Sequence, residues 1–442
     1  MMVLESALTI LLFLLVLGAL ILVHEMGHYL AGRLQGFAVD AFSIGFGPRL
    51  LDRKGAYNRW QIRWIPMGGF VKFRGEAGPD DEAPADAGPG RPFYEMPRWR
   101  RFLVLVMGVT FNALLAYGLF AGLVWHGVEE SLLREREPRV GFVAPGLPAE
   151  KAGVRPGDVL VRLGSRKVSN WDDAREEIAL NQKPYELVLL RGGETLSVRV
   201  EPVAATFLKQ PVGEIGVFPA LPPVIGAVAD PSPALRAGLA PGDRIVSLDG
   251  QTFAYWDEFQ RAMASSDGAP RRLVVEREGS RREVEVAPEY NAEAGRYLLG
   301  IAPQESVWTR YPFPSNFAKA ASLTLQQSTL AYRTLKRLVT RQVGLSALSG
   351  PVSIAYITGK VARTGLYNLL MLVAVISLQL AFINLLPIPG LDGGQIIVLA
   401  AEGLFRRDLP MAVKDRILQV GFVLLILFSV AVLFLDVAKF FK

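Results

Sequence analysis

The chain has 442 residues, 51% of them hydrophobic, with no cysteine, three histidines and a formal net charge of +6. Positive mean hydropathy with the apolar residues gathered in blocks excludes an ordinary soluble protein. Lack of cysteine excludes disulfides and thiolate metal ligands, and no basic stripe with interleaved aromatics points to nucleic acid.

A bilayer core takes roughly 20 apolar residues of helix to cross, and the first such block runs from about Ala7 to Leu30. No Lys or Arg precedes it and no small-residue cleavage site follows, so it reads as a retained helix rather than a cleaved leader. Inside it stands "VHEMGHYL", which sets His24, Glu25 and His28 among apolar residues. Positions four apart share one helix face, so both imidazoles can grip one metal ion, and Glu25 can serve a water there as base. This H-E-x-x-H pattern implies zinc and metal-assisted peptide hydrolysis. The bland alternative is a polar helix contact or proton path, although ionisable groups at membrane depth default to function.

Between the first two blocks, "FSIGFGPRL" and "WIPMGGFVKFRGE" alternate or carry glycines, as a hairpin does. The second block is Phe102 to Trp125, the third Leu366 to about Leu386, and the fourth Ile417 to Leu435. Arg33 follows the first block, Arg98, Arg100 and Arg101 precede the second, and Arg406, Arg407, Lys414 and Arg416 precede the fourth, so both connections read as cytoplasmic. The segment from His126 to Gly365 then lies outside; Lys439 and Lys442, beyond the last helix, count against this orientation. In that segment "PAEKAGVRPGDVLVRLGSRKVSNWDD" from Pro148 and "PALRAGLAPGDRIVSLDGQTFAYWDE" from Pro233 repeat one unit. Each copy predicts a turn, an alternating strand, a helix opened by Trp171 or Trp256, and two further strands. "NFAKAASLTLQQSTLAYRTLKRLV" then reads as an amphipathic helix on the membrane surface or against the repeat.

A catalytic zinc needs a third protein ligand. His126 lies past the far end of the second block, so a carboxylate is expected, and Asp392 in "NLLPIPGLDGGQ" is the best placed. His24 lies roughly 25 Å along the first helix at 1.5 Å per residue, towards the same cytoplasmic side at which Asp392 leaves the third. Glu402 and Asp436 are weaker candidates.

"HEMGH" in the first membrane helix and "NLLPIPGLDGG" after the third resemble the two signatures of site-2 proteases, the intramembrane zinc metalloproteases, and the resemblance spans essentially the whole chain. The repeated units resemble PDZ domains, with "EIGV" and "LLGI" similar to that family's carboxylate-binding loop and placed last, as in a circular permutation. The implied fold is a polytopic α-helical membrane protein with four transmembrane helices, a membrane-associated β-hairpin region and two tandem circularly permuted PDZ domains. Its expected divisions are residues 1–34, 35–101, 102–125, 126–219 and 220–305 (the PDZ pair), 306–365 (amphipathic), 366–388, 389–416 (a cytoplasmic loop with LDG) and 417–437.

Carried over residue by residue, the resemblance implies His24, His28 and Asp392 as ligands of Zn2+, and Glu25 as catalytic base. It implies substrate contact at Asn384 and at Gly68, Gly69, Phe70 and Val71 of the β-region, and PDZ ligand loops at Ile215, Gly216, Leu299 and Gly300. "GVTFN" resembles the family's Gly-Pro-x-x-Asn but has Val109 in place of Pro, which leaves Asn112 without an assigned role. The implied substrate is a single-pass membrane protein of anti-sigma-factor type already cut outside, or a signal-peptide remnant, with the PDZ pair as size filter. The implied setting is the bilayer of a bacterial inner membrane, with the PDZ pair periplasmic. The competing readings are a membrane-anchored PDZ scaffold or sensor with a structural or vestigial metal site and, more remotely, a transporter, which would need more polar residues in its other helices.

Overall fold

The computed structural model describes residues 2–76, 89–134, 137–207, 210–264, 266–291, 296–340 and 349–438; Lys439 and Lys442 lie outside them. Four of its helices are long and apolar enough to cross a membrane. They are α1 (Met2–Leu34), α2 (Arg98–His126), α9 (Leu366–Asn384) and α11 (Met411–Ala438), as numbered along the whole chain. α1 and α2 approach closely because Gly27 has no side chain: a Cβ there would lie 2.3 Å from the Met107 carbonyl oxygen.

After α1 the chain forms two long bent strands, β1 (Val39–Lys54) and β2 (Arg59–Phe73). Their register doubles back: Ala41 faces both Lys72 and Arg59, and Ile44 faces both Gly69 and Ile62. Leu51 to Lys54 of β1 also pair with Arg59 to Ile62. The first half of β1 is therefore flanked on both sides, and the Gly69–Phe73 stretch is an outer strand that no further strand joins among the described residues. Phe37, Phe73 and Phe93 close the base of this sheet against Val104 and Leu105 of α2.

The middle of the chain is β-rich. β3 (Val128–Ser131) leads into β4 (Val140–Val143), α3 (Pro148–Lys151), β5 (Val159–Leu163), β6 (Arg166–Lys167), α4 (Trp171–Leu180), β7 (Tyr185–Arg191), β8 (Glu194–Val200), β9 (Val203–Phe207), β10 (Gln210–Glu214) and β11 (Val217–Pro219). The same order returns as β12 (Ile225–Val228), α5 (Pro233–Arg236), β13 (Arg244–Leu248), β14 (Gln251–Thr252), α6 (Trp256–Ala264), β15 (Arg271–Arg277), β16 (Ser280–Val286), β17 (Glu289–Asn291), β18 (Arg296–Leu298) and β19 (Ile301–Pro303). Each unit has a four-stranded sheet, β6-β5-β7-β8 and β14-β13-β15-β16, and two two-stranded ones, β11-β4 with β10-β9 and β12-β19 with β17-β18. Even the ion pairs correspond. Arg191 forks onto the buried Asp158 with two bonds of 2.7 Å, and Arg277 grips the buried Asp243 at 2.5 and 2.7 Å. Burial alone would raise the Asp243 carboxyl, but the Arg277 guanidinium and the Ala240 N–H hold it below its ordinary range.

β20 (Ser306–Thr309) pairs with β3, so the two units lie in the chain between adjoining strands, the first of which leaves the end of α2 and the second of which leads to the next helix. The expected amphipathic region contains two helices, α7 (Ser315–Val339) and α8 (Pro351–Ala362). α7 packs on α2 through Asn316, whose amide donates to the Ala121 carbonyl at 3.3 Å, and reaches the first unit through Arg333, 3.0 Å from Glu176 on α4.

One expectation fails after the third apolar block. α9 ends at Asn384, short of Leu386, and the expected loop holds a helix, α10 (Asp392–Leu404). Prolines and glycines in "LPIPGLDGG" suggest a broken stretch, yet Gly393 and Gly394 are the second and third residues of α10. They are small because the preceding turn folds back on them: a Cβ on Gly393 would lie 2.3 Å from the Leu385 carbonyl oxygen, and one on Gly394 2.2 Å from that of Ile388.

Candidate metal centre

The candidate metal-binding groups come from two helices, oriented by a third. His24 and His28 lie one turn apart on the buried face of α1, and Asp392 opens α10, where its charge suits the helix N-terminus. His24 Nε2 is 3.0 Å and His28 Nε2 is 3.4 Å from Asp392 Oδ2, and the two ring nitrogens are 3.1 Å apart. Tetrahedral zinc with bonds of about 2.0–2.1 Å spaces its ligand atoms about 3.3 Å apart, so this triangle has the edges of a zinc site with one position left over. Asp392 Oδ2 is buried and faces the two imidazole nitrogens, so with both Nε2 unprotonated it is available to a cation. Two imidazoles and a carboxylate are a fitting donor set.

Helix α2 makes room for this and orients it. Val104, Gly108 and Asn112 form a row with a spacing of four along the face turned to α1. The Val104 carbonyl lies 2.9 Å from His28 Nδ1 and can only accept its N–H, the tautomer in which Nε2 has a lone pair to offer a metal. Gly108 lies against both rings: a Cβ there would sit 2.3 Å from His28 Nε2 and 2.8 Å from His24 Nε2. Asn112, fully buried, has its amide 3.5 Å from His24 Nδ1.

Glu25 follows His24 and faces β2, where the Val71 backbone N–H donates to its carboxylate. A Cβ on Gly69 would lie 3.3 Å from Glu25 Cγ. The stretch Gly68, Gly69, Phe70 and Val71 thus lies beside Glu25, on the outer strand. Asn384, last residue of α9, brings its amide nitrogen to 3.5 Å from His24 Nε2. The two weaker ligand candidates lie elsewhere. Glu402, 1% exposed, is paired with Arg101 at 3.4 Å and Lys414 at 2.7 Å, and Asp436 binds the Ser353 N–H at 2.8 Å at the start of α8. Next to Glu402, burial alone would raise the Asp408 carboxyl, but hydrogen bonds from Arg101 and Arg98 hold it below its ordinary range.

The four loop residues of the repeated units lie far along the chain. Gly216 and Gly300 both have positive φ, 79° and 78°, and the carbonyls of Ile215 and Leu299 take the N–H of Ala149 and Ala234 at 2.9 and 3.0 Å. Beside Gly216 is a cavity of about 370 Å³ bordered by Trp171, Ile178 and Phe218; beside Gly300 one of about 380 Å³ is bordered by Trp256, Phe259 and Met263. In the first, Glu305 reaches across to Arg175 at 3.0 Å.

Residues 12–428 match the sequence profile of Peptidase family M50. The chain belongs to this family. It is 31% identical over 455 residues to the "Regulator of sigma E protease" of Salmonella typhi, covering 97% of this chain and 98% of that one. The "Regulator of sigma-E protease RseP" of Escherichia coli is 31% identical over 459 residues, with the same shares covered. "Zinc metalloprotease RasP" of Geobacillus kaustophilus is 29% identical over 448 residues, 99% of each chain. The chain is a zinc metalloprotease of the site-2 type, a membrane protein with zinc as its cofactor, which sets aside the scaffold and transporter readings.

Of the site, Gly108 and the Val104 carbonyl are absent from the candidates that the sequence suggests. Gly108 opens the quoted "GVTFN" and stands four residues before Asn112, a spacing that one helix face makes meaningful. A backbone carbonyl leaves no mark in sequence.

Proposed function

We propose that this protease hydrolyses a peptide bond within the transmembrane segment of a single-pass membrane protein. The observation that carries the reading is the convergence of His24, His28 and Asp392 on one point beside the apolar helices α1 and α2, with Glu25 between that point and an outer β-strand. His24, His28 and Asp392 are the zinc ligands in this proposal. Zinc held there supplies Lewis acidity to the scissile carbonyl and acidity to a water.

The chain's own residues do the rest. Glu25 takes the proton of the attacking water at its carboxylate, which the Val71 N–H steadies, and passes it to the leaving amine. Gly68, Gly69, Phe70 and Val71 offer a strand edge to a substrate segment, which must unwind because a helical peptide bond is shielded by its own hydrogen bonds. The Asn384 amide holds that segment's backbone.

The two repeated units, 126–219 and 220–305, are in this reading circularly permuted PDZ domains, with Ile215, Gly216, Leu299 and Gly300 in their ligand loops. They filter substrates by size, admitting those already shortened. The setting is a bacterial inner membrane, with the PDZ pair periplasmic and the site towards the cytoplasmic face. The names of the relatives point to an anti-sigma factor as substrate; signal-peptide remnants are a second class of the same chemistry.

Purified full-length Glu25→Gln tests the core of this. It retains zinc by elemental analysis and loses about 100-fold or more of its cleavage of a reconstituted single-pass substrate. Cleavage at the parental rate overturns the assignment of Glu25.

A further inference from the structure

His24 has an unmet requirement. Its Nε2 converges with His28 Nε2 and Asp392 Oδ2, so as a metal ligand it needs a lone pair there, and a neutral imidazole then carries its proton on Nδ1. For His28 that proton goes to the Val104 carbonyl. For His24 the group at Nδ1 is the side-chain amide of Asn112, which presents its NH₂ end at 3.5 Å, donor against donor. The other end, Asn112 Oδ1, is buried and has no hydrogen-bond partner. With a metal on Nε2, one change removes both mismatches. Half a turn of the carboxamide, whose ends have nearly the same shape, puts the acceptor on the imidazole proton and leaves no buried carbonyl oxygen unpaired.

We infer that Asn112 is a positioning residue for the metal site: its side-chain carbonyl accepts the His24 Nδ1–H and fixes the tautomer and ring orientation in which Nε2 faces zinc. This rests on the ligand assignment proposed above. The backbone supports the role, since the Ser377 hydroxyl on α9 donates to the Asn112 carbonyl at 2.9 Å and pins that turn of α2 with both residues fully buried. Val109 in place of a proline does not disturb it, because the row facing α1 is Val104, Gly108 and Asn112.

The test is zinc affinity of the detergent-solubilised full chain, measured by competition with a chromophoric chelator, for the parent and for Asn112→Asp, Asn112→Leu and Asn112→Ala. Leu matches the volume without an acceptor, whereas Asp keeps the acceptor. Leu and Ala are expected to weaken zinc binding about 10–100-fold, the usual cost of losing a partner of a metal-bound histidine, with Asp within about threefold of the parent. The inference is overturned if Leu and Ala bind within about threefold of the parent, or if Asp loses as much as Leu. It is also overturned if Asn112→Ala no longer accumulates in the membrane, since Asn112 is then needed for folding. His24→Ala serves as control: its zinc loss beside unaffected Asn112 variants means this inference fails while the ligand assignment stands, and zinc retention by His24→Ala means the ligand assignment itself has failed.

Discussion

At the scale of single residues, the proposed metal site depends as much on what is missing as on what is present. Two imidazoles one turn apart fill the groove between α1 and α2 only because position 108 has no side chain. The clash a methyl would make, 2.3 Å from His28 Nε2, is with a ring already held at its other nitrogen by Val104, so the ring cannot retreat. Gly108→Ala is therefore expected to lower zinc affinity about 10–100-fold or more while the helices still insert. Zinc content after dialysis against a chelator checks this, and parental retention would mean that α2 moves aside. His24, Glu25 and His28 are legible in the sequence because ionisable groups inside an apolar helix are costly and persist there chiefly where chemistry needs them. Gly108 is not, because a helical glycine marks close packing without naming what packs against it.

At the scale of elements, hydropathy and self-similarity reveal the four apolar helices and the repeat, but the same sequence signals miss α10. Gly and Pro near Asp392 have the look of breakers, whereas the glycines are there so that α10 can lie against the turn that precedes it. The β1–β2 sheet is legible as a hairpin, but its doubled register is not, since alternation tells which face a residue takes and not which neighbour it pairs with. α10 matters because it carries Asp392 at one end, and its other end is fixed by Glu402, which sits between Arg101 of α2 and Lys414 of α11. Glu402 also accepts the Leu409 N–H at 2.9 Å, which closes the turn into α11. Glu402→Ala leaves two buried cations facing each other, and breaking such a group costs about 3–5 kcal/mol. Thermal unfolding in detergent should fall by several degrees, and zinc should be lost at a lower temperature than in the parent because Asp392 moves with α10. An unchanged midpoint would show that Arg101 and Asp408 alone hold the helix.

At the scale of the whole molecule, the site and the paired β-rich units are separated by much of α2. Asn112 at the site and His126 at the exit are 14 residues apart, about 21 Å along a helix. At that range the units do not line the candidate site, and in the proposed function they act on which substrates reach it. Besides the β3–β20 pair, α7 connects the two regions: it packs on α2 and α9 and pairs with the first unit through Arg333–Glu176 and Arg337–Glu177. Lys319 of the same helix pairs with Glu130 of β3, whose carboxyl burial alone would raise but the bonds from Lys319 and Tyr311 hold below its ordinary range. Arg333→Glu sets two carboxylates against each other at the α4–α7 contact without approaching the metal. If the units act as a filter held in place by α7, this variant keeps its zinc and its rate on a shortened single-pass substrate, while cleavage of the same substrate with a folded external domain rises several-fold. Parallel loss on both substrates would instead make α7 a support of the membrane core, and no change on either would mean that the pair selects its substrates without this contact.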